Sequence, residues 1–452
     1  MGQLSPPKIV CLITLVTAVV FSSGGSTASK AQETAATKER GGCDQGNAGL
    51  TLPPGFCASV FADNLGRARH LTVAPSGDVY VNSWSSSYTE LKNAPGGYIV
   101  GLRDTNRDGK ADVVQRFGPV HQDGKPGGGT GIAVHRDALY VEDIGKIVRY
   151  RLTRGQLVPQ SNSEVILRGM WTERGHIMHP FAITSDGVLY VNSGSITNSC
   201  QEKDRSLESP GISPCPELQL HAGIWRYDAN KTNQNFSPAE RYATGTRNVV
   251  ALAVNAANEL YATLHGRDNL AVHWPKLYTA EQNNELPAEV FARIDKGDDF
   301  GWPYCYYDPG QKKHVLAPEY GGDGGKTQGI CAQKKQPALT FPAHWAPNGM
   351  TFYNGSTFPA KYRGGAFVSF HGSHDRTPIQ AGYRVMFVPF EAGKPAGRSE
   401  EFASGFSGPT PLSKPTEAPH RPMAVAVGPD GALYVSDDVK GRIWRITYVG
   451  GA

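Results

Sequence analysis

The sequence has no strong excess of charge of either sign. Its 452 residues include 45 lysines and arginines and 41 aspartates and glutamates, a net charge of +4, and no basic run stands out. Proteins that bind nucleic acid or acidic membrane surfaces concentrate basic residues in a patch. The sequence therefore predicts neither kind of partner.

Long hydrophobic runs are also missing. The one apolar stretch of note covers residues 9–21, and its 13 residues are fewer than the roughly 20 that a membrane-spanning helix needs. Lys8 precedes the stretch and small residues follow it, as in a secretory signal peptide cleaved near residue 28 or residue 31. We predict a signal peptide at residues 1–28, a flexible linker at 29–42, and a periplasmic or secreted protein without a membrane span. An uncleaved anchor is the alternative.

The sequence contains no Cys-x-x-Cys motif, which excludes zinc ribbons, thioredoxin-like redox sites and c-type haem attachment. Apart from Cys11 in the apolar stretch, the cysteines are Cys43, Cys57, Cys200, Cys215, Cys305 and Cys331. An even number in an exported protein suggests disulfides, and several pairings are possible. The simplest set joins sequence neighbours, Cys43–Cys57, Cys200–Cys215 and Cys305–Cys331; free buried thiols are the alternative.

Glycine and proline, by contrast, are abundant. The 53 glycines and 32 prolines would interrupt helices and instead favour short strands joined by tight turns. One pattern recurs: alternating apolar residues, a turn of the Pro-Asp-Gly kind, then a β-rich run that carries an aromatic residue. The aromatic residues that mark the copies are Tyr80, Tyr140, Tyr190, Tyr261, Phe367 and Tyr434.

Six copies of a small β-meander predict an all-β fold, a six-bladed β-propeller formed by residues 43–452. A meander cannot bury both of its faces alone, and radial stacking buries them. We expect the strand after each turn to be an inner one, so that the following loops, such as those at residues 82–84, 192–194 and 436–438, converge on a central channel. A pair of β-sandwiches is the alternative.

Several segments together resemble one family of enzymes. They lie at residues 175–181, 245–249, 265–270, 300–306, 366–373 and 441–446. In this order they resemble the soluble glucose/sorbosone dehydrogenases, quinoproteins that carry pyrroloquinoline quinone (PQQ) and Ca²⁺ on a six-bladed propeller, and most of all the sorbosone and pyranose dehydrogenase branch. The resemblance runs from about residue 52 to residue 448. It implies oxidation of a sugar or sugar-derived aldehyde, of aldose, pyranose or sorbosone type, by hydride transfer to PQQ with Ca²⁺ assistance. Because the chain has no haem motif, a separate electron acceptor is implied.

The resemblance gives His176 and Arg247 catalytic roles. His176 matches the general base of the family, a task that suits an imidazole because it is mostly neutral at working pH. His179, or a structural histidine, is the alternative. Arg247 and Asn248 match cofactor contacts, and a guanidinium there would also stabilise developing oxygen charge. The alternative for Arg247 is a salt bridge between blades.

Three further cofactor contacts are implied: Arg69, His371 and Arg421. His371 matches a cation that is lysine in the glucose-oxidising branch, and Arg421 matches one of two family arginines. The second of those positions is Met423, which carries no charge, and Arg69 is placed to compensate. Solvated surface side chains are the alternative for each of the three.

The family holds its cofactor-bound Ca²⁺ with backbone carbonyls, and the matching positions here are Gly266 and Arg267. A second, structural Ca²⁺ site uses a Glu-x-Asn run in the family. The aligned positions in this chain are Val290 and Ala292, and the nearest carboxylate is Glu289, one residue early. That site is therefore expected to be shifted or absent.

Another Ca²⁺ signal is independent of the family. Residues 104–112 have the order of an EF-hand loop, with Asp104, Asn106, Asp108 and Asp112 as alternating oxygen ligands and Gly109 at the sharp turn. Position twelve is Gln115 rather than glutamate, and the flanking residues resemble strands. We predict a Ca²⁺-binding loop within an outer β-hairpin; a plain polar turn is the alternative.

A propeller fold alone does not select a function. The alternative to a quinoprotein dehydrogenase is a non-redox, calcium-binding propeller, either a lactonase-like hydrolase or a binding scaffold. Among the implied site residues, His176, Arg247, Asn248 and His371 favour the dehydrogenase.

Overall fold

Six antiparallel sheets, arranged around a central channel, form a six-bladed β-propeller as predicted. The computed structural model describes residues 42–84, 96–120 and 127–450. The expected signal peptide and all but the last residue of the expected linker lie outside these ranges.

The blades follow one another along the chain. The strands of blade 1 come after an initial strand, β1 (Phe56–Ala62), and are β2 (Ala68–Val73), β3 (Val79–Ser83), β4 (Gly97–Arg103) and β5 (Val113–Val120). Those of blade 2 are β6 (Ile132–His135), β7 (Ala138–Glu142), β8 (Lys146–Arg151) and β9 (Glu164–Arg168). Those of blade 3 are β10 (Phe181–Ile183), β11 (Val188–Ser193), β12 (Gly223–Asp228) and, after the short β13 (Gln234–Asn235) that extends blade 2, β14 (Arg241–Thr244).

Blades 4 and 5 carry insertions. The strands of blade 4 are β15 (Leu252–Val254), β16 (Leu260–Leu264) and β17 (Glu289–Arg293), then, after the inserted hairpin β18 (Cys305–Asp308) and β19 (Lys313–Leu316), β20 (Leu339–Phe341). Those of blade 5 are β21 (Pro347–Phe352), β22 (Ala366–Phe370), β23 (Arg384–Val388) and, after the hairpin β24 (Phe390–Glu391) and β25 (Lys394–Pro395), β26 (Glu400–Ala403).

Blade 6 closes the ring. It consists of β27 (Pro422–Val427), β28 (Leu433–Asp437) and β29 (Ile443–Tyr448), and β1 adds to its outer edge with Phe56 opposite Tyr448. Pairing the first strand with the last joins the two ends of the propeller and leaves no long exposed sheet edge between them.

Within the described ranges, helices are few and short. The α-helices are α1 (Leu270–His273) and α2 (Ala280–Glu285), both inserted between β16 and β17. The 3₁₀-helices are Gln45–Gly49, Pro216–Gln219, Pro238–Glu240, Pro318–Tyr320, Gly329–Gln333, Ala360–Tyr362 and Pro415–Glu417. In the described part of the chain no helix is long and apolar enough to cross a membrane.

The radial order of the strands differs from the expectation. The strand before each turn, not the strand after it, is innermost: β2, β6, β10, β15, β21 and β27 pack against one another around the channel. The strand after the turn is the second of each blade. The space at the channel explains this order. The innermost strands lie close together and favour short side chains such as those of Ala424 and Ala426 in β27, whereas a large aromatic side chain fits further from the channel.

The six marker aromatics do occupy equivalent positions, one in the second strand of each blade, and all are buried. Each packs in the core between its own blade and the next. Tyr80 of blade 1, for example, contacts the cluster that contains Ile132 and Leu139 of blade 2. Tyr434 of blade 6 shares a cluster with Leu71 of blade 1. The repeated aromatic therefore marks the wedge that holds neighbouring blades together.

The simplest disulfide pairing is confirmed. Cys43–Cys57, Cys200–Cys215 and Cys305–Cys331 are all bonded. The first ties the segment before β1 to the closing blade, and the third anchors the hairpin inserted in blade 4.

Candidate active site

The candidate site lies at the end of the channel where the innermost strands begin and the second strands end. Antiparallel pairing brings those two ends together. His176 precedes β10, Arg247 precedes β15 and Arg421 precedes β27, while His371 follows β22. The fold thus brings to one end of the channel the residues that the sequence analysis predicts for catalysis and cofactor binding.

His176 presents one ring nitrogen that has no hydrogen-bond partner in the described ranges. Its Nδ1 atom lies 2.8 Å from the carbonyl oxygen of Ser195, and because a carbonyl only accepts hydrogen bonds, Nδ1 carries the proton. Nε2 then holds the lone pair and has no hydrogen-bond partner among the described residues. Burial, reinforced by the Arg247 guanidinium, lowers the pKa of His176 to about 3. The ring is therefore neutral at pH 7, in a tautomer that can accept a proton.

His179, the alternative base, is fully buried and fully engaged. Its Nδ1 lies 3.0 Å from the carbonyl oxygen of Asn192, and its Nε2 lies 2.8 Å from that of Trp171. Both ring nitrogens face main-chain acceptors, so neither offers a lone pair to the channel. These contacts give His179 a structural place, and of the two histidines only His176 has a ring nitrogen without a partner among the described residues.

Arg247 is held by three groups. Its Nη2 lies 2.7 Å from a carboxylate oxygen of Asp268, its Nη1 donates to the carbonyl oxygen of Gly266 at 2.8 Å, and its Nε donates to that of Asn198 at 3.2 Å. Asp268 also pairs with Arg205, and the guanidinium groups hold the pKa of Asp268 far below its usual range against the effect of burial. The ion pair joins two loops of blade 4, so it is not the bridge between blades that the alternative assumed.

The side chains of Asn248 and His176 both pack against Gly194. A Cβ on Gly194 would come within 2.5 Å of the Cβ of His176 and 2.8 Å of the Oδ1 of Asn248. Only glycine lets these two side chains sit so close together. The Asn248 side chain makes no hydrogen bond within residues 127–450 or the other described ranges, and its amide is therefore available to a ligand.

The loop expected to hold the cofactor's Ca²⁺ already has partners in this structure. The carbonyl oxygen of Gly266 accepts from Arg247, and the Gly266 N–H donates to Glu289 at 3.1 Å. The Arg267 carbonyl oxygen accepts no hydrogen bond from a described residue, whereas its side chain turns away from the channel to pair with the buried Glu319. One of the two expected Ca²⁺-binding carbonyls is thus occupied by a guanidinium.

Glu289 lies directly behind this loop. Besides the Gly266 N–H it accepts the N–H of Ala346 at 3.3 Å, and it is buried. Burial raises the pKa of Glu289 to about 8. Glu289 thus links the Gly266 loop to the segment at Ala346, and it lies beside Gly266 rather than in a separate site.

A second group of side chains surrounds Asp438. One carboxylate oxygen of Asp438 lies 2.7 Å from Nη1 of Arg69 and the other 2.7 Å from Nε2 of His371. The two partners hold the pKa of Asp438 well below its usual range despite burial. Burial lowers the pKa of His371, and the opposing effect of Asp438 does not reverse that direction. His371 and Arg69 thus both contact one buried carboxylate at this end of the channel.

Arg421 has no carboxylate partner in the described chain. Its guanidinium donates to the carbonyl oxygens of His371 at 3.0 Å and Gly372 at 2.8 Å, and it lies 5.7 Å above the ring of Tyr383. Met423, the uncharged family departure, is buried and its sulfur contacts Asn348. The positive charge of Arg421 therefore remains available to an anionic ligand.

His265 lies between the side chains around Asp268 and those around Asp438. Burial lowers the pKa of His265 to about 4, and Arg247 on one side and His371 on the other lower it further. The guanidinium groups of Arg69, Arg247 and Arg421 thus share one channel mouth with two buried carboxylates. The arrangement suits a small, planar, anionic ligand that offers several oxygen acceptors.

The EF-hand-like loop connects β4 to β5 on the outer half of blade 1, as predicted. Asp104 accepts the Gly109 N–H at 2.8 Å through one oxygen, while its other oxygen is buried and has no hydrogen-bond partner in the part of the chain that the structure describes. Asp108 accepts the Lys110 N–H at 2.8 Å, and Asp112 accepts the Thr105 N–H at 2.8 Å.

Sequence reasoning missed the two aspartates that position the cationic side chains, Asp268 and Asp438. Each follows a second strand in a loop at the channel mouth. A signal was present, because a buried arginine needs an anionic partner and these loops carry carboxylates. The sequence did not reveal which carboxylate pairs with which cation.

Comparison with known proteins identifies relatives over most of the chain. Residues 50–449 match the family model described as TrAA12-like. A protein of Borreliella burgdorferi (strain ATCC 35210 / DSM 4680 / CIP 102532 / B31), described as uncharacterized, is 27% identical over 411 residues, which cover 88% of this chain and 91% of that protein.

Two solved structures are similar in fold. The holo form of the pyranose dehydrogenase PQQ domain from Coprinopsis cinerea superimposes with a TM-score of 0.67 at 19% identity, over 88% of this chain and 97% of that chain. The calcium structure of the Trichoderma reesei family AA12 carbohydrate-active enzyme gives a TM-score of 0.68 at 17% identity, over 88% and 97%. At such identities the likeness establishes the propeller fold.

Proposed function

Because the chain belongs to the TrAA12-like family, we propose that it is a PQQ-dependent dehydrogenase that oxidises a sugar or a sugar-derived aldehyde. One observation carries the proposal: His176, neutral and with a free Nε2 lone pair, lies at the same channel mouth as three guanidinium groups. A hydrolase or a binding scaffold has no evident need for this combination of a base and several anion-binding cations.

The residues present fit PQQ, which carries an ortho-quinone and three carboxylates. Among the described residues, Arg69 Nε is buried without a hydrogen-bond partner, Arg421 has only carbonyl partners, and the Asn248 amide has none. Arg69, Arg247, Asn248, His371 and Arg421 would hold the cofactor. When bound, PQQ supplies a two-electron acceptor for hydride.

The chain's own residues supply the rest of the chemistry. Nε2 of His176 takes the proton of the substrate hydroxyl, and the hydrogen bond from Nδ1 to Ser195 stabilises the ring in that orientation. Arg247, anchored by Asp268, keeps its guanidinium fixed where oxygen charge develops. A positioned donor of this kind requires no reorganisation during the reaction.

Calcium fits the cofactor loop only in part. The Arg267 carbonyl oxygen is unengaged, but the Gly266 oxygen already accepts from Arg247. A Ca²⁺ ion held by both carbonyls would share the Gly266 oxygen with Arg247, because a carbonyl oxygen has two lone pairs, and we assign no chemical step to the ion. The loop at Asp104, Asn106, Asp108 and Asp112 remains our proposed structural Ca²⁺ site.

We also propose export to the periplasm or the cell exterior. Three disulfides support this location, because such bonds persist in oxidising compartments. The predicted signal peptide at residues 1–28 is the second support. Amino-terminal sequencing of protein recovered from a secreting host tests the proposal: a start near residue 29 or 32 supports cleavage, and an intact residue 1 in a membrane fraction opposes it.

The activity test reconstitutes metal-free apoprotein with PQQ, with and without Ca²⁺, and measures reduction of an artificial dye. Pyranoses, other aldoses and a sorbosone-type aldehyde serve as substrates, and sugar lactones are assayed in parallel for hydrolysis. We expect dye reduction that depends on PQQ and on at least one sugar or aldehyde. Lactone hydrolysis without dye reduction would instead favour the calcium-dependent hydrolase.

A further inference from the structure

A cluster of three metal-binding residue types lies behind the channel mouth. Asp268 follows β16, His344 lies between β20 and β21, and Asp375 lies between β22 and β23. One ligand atom from each lies within 4.8 Å of the other two. Their side chains are 11%, 4% and 10% exposed, respectively. Three separate segments thus converge on one buried point.

The tautomer of His344 points to a ligand at that point. Its Nε2 lies 2.7 Å from the carbonyl oxygen of Asn283 and 3.0 Å from that of Leu286, so Nε2 carries the proton. Nδ1 then holds a lone pair, which faces an oxygen of Asp375 at 3.7 Å, beyond hydrogen-bonding distance. A lone pair directed at a carboxylate is repulsive unless a metal ion or a proton lies between them.

The surroundings are those of a metal-binding histidine. Such a histidine almost always donates its other ring N–H to a carbonyl or carboxylate, as His344 does. Asp375 is held by the Asn269 N–H at 2.7 Å, and Asp268 uses one oxygen for both Arg247 and Arg205, which leaves its second oxygen free of described partners. All three ligands are oriented by neighbours that do not need to move.

We propose that Asp268, His344 and Asp375 bind a divalent cation of the zinc class. Imidazole selects such ions over Ca²⁺ and Mg²⁺. The 3.7 Å between Nδ1 of His344 and the Asp375 oxygen approaches the roughly 3.4 Å edge of a tetrahedron with bonds of about 2.1 Å. With three protein ligands the fourth position belongs to water.

The competing explanation is a protonated His344 that forms an ion pair with Asp375. The two explanations differ in whether Zn²⁺ binds in place of that proton. Neither explanation depends on the proposed oxidation activity, because Zn²⁺ binding at this cluster requires neither PQQ nor substrate.

The experiment titrates the chelator-treated full chain with Zn²⁺ by isothermal calorimetry and with Co²⁺ by visible absorption. Asp375→Asn keeps an acceptor for the Asn269 N–H, and His344→Gln keeps an N–H donor for the two carbonyls. The matched control is His314→Gln: His314 is also buried and contacts the carbonyl oxygen of Lys335, but it belongs to no three-ligand cluster in the described structure. Thermal unfolding checks that each variant is folded.

We expect one Zn²⁺ per wild-type chain, with affinity reduced at least tenfold in both site variants and unchanged in the control. Co²⁺ should give d–d absorption bands that only the site variants lose. The proposal is overturned if the wild type binds no Zn²⁺, or if folded Asp375→Asn and His344→Gln bind it as tightly as the control does.

Discussion

The Nδ1 atom of His176 lies 2.8 Å from the carbonyl oxygen of Ser195. This single contact fixes the tautomer of the ring, because a main-chain carbonyl cannot donate a hydrogen bond. It therefore decides which nitrogen can act as a base, something that no residue type or spacing in the sequence reveals. The side-chain hydroxyl of Ser195 is not needed, since it donates to Thr197 at 2.6 Å.

Replacing His176 by alanine should reduce kcat of the PQQ-loaded enzyme by about 100- to 10,000-fold, the usual effect of losing a positioned base. PQQ affinity should change little, since His176 acts on the substrate. Ser195→Ala is the matched control and should stay within about tenfold of the wild type, because the main-chain carbonyl remains. Steady-state dye reduction and a PQQ titration measure both effects. Near-normal turnover of His176→Ala would contradict the assignment.

Replacing Arg247 by alanine should weaken PQQ binding by about 10- to 100-fold, because a lost ionic hydrogen bond costs roughly 1.5–3 kcal/mol. Fluorescence or calorimetric titration of the apoprotein measures the change. Arg205→Ala is the control: Arg205 also pairs with Asp268, but its side chain is 43% exposed. We expect the control to bind PQQ as the wild type does. Equal affinity in both variants would make Arg247 a structural residue of the Asp268 loop.

The sequence predicted the fold well, because each repeat carries its own evidence. A turn followed by a β-rich run with a buried aromatic is a local pattern, and Tyr80, Tyr261 and Tyr434 occupy equivalent places in their blades. The radial order was predicted wrongly, because both strands that flank the turn are apolar. Side-chain size in the narrow channel, as at Ala424 and Ala426, separates the two strands, and it becomes evident only once the ring is closed.

The sequence predicted which residues belong to the candidate site but not how their side chains pair. That His176, Arg247 and Arg421 share one channel mouth follows from their positions before innermost strands. Their partners are distant in sequence: Asp438 lies 369 residues from Arg69, with which it pairs. Such pairings depend on ring closure, and no local pattern reveals them.

The loop at Asp104–Asp112 should bind Ca²⁺ and stabilise blade 1. One oxygen of Asp104 is buried without a partner among the described residues, and a bound cation would supply one. Saturating Ca²⁺, at about 100 times its Kd, should add roughly 2.7 kcal/mol to the free energy of unfolding. Asp108→Ala should lose most of this gain without loss of PQQ affinity, as measured by thermal unfolding across a Ca²⁺ titration.

Asp186→Ala is the matched control for that variant. Asp186, like Asp108, precedes a glycine with positive φ, but it lies in a plain turn between β10 and β11. Its Ca²⁺-dependent rise in Tm should equal that of the wild type. If Asp108→Ala and Asp186→Ala respond identically to Ca²⁺, the loop is a polar turn and the ion does not bind there.

Two histidines away from the proposed metal ligands should make the protein less stable in mild acid. Burial lowers the pKa of His70 and of His221 to about 4, whereas an unfolded histidine has a pKa near 6.5. Between these values the unfolded chain binds protons that the folded chain does not. The contribution to stability is therefore complete above about pH 6.5 and is lost as the pH falls towards 4. Each pH unit in this window removes up to about 1.4 kcal/mol per histidine.

Thermal unfolding at pH 7 and pH 5 tests this dependence, in a range where ordinary carboxylates contribute little. We expect the two histidines to lower Tm of the wild type by about 4 °C, and the raised pKa of Glu289 acts in the opposite direction. The double variant His70→Gln/His221→Gln should show a smaller fall between the two pH values, whatever its Tm at pH 7, because glutamine does not titrate. Each variant is its own control, since the comparison is the difference between two pH values. An equal fall in the double variant and the wild type would show that other groups cause the acid sensitivity and that these two histidines do not stay neutral in the folded protein.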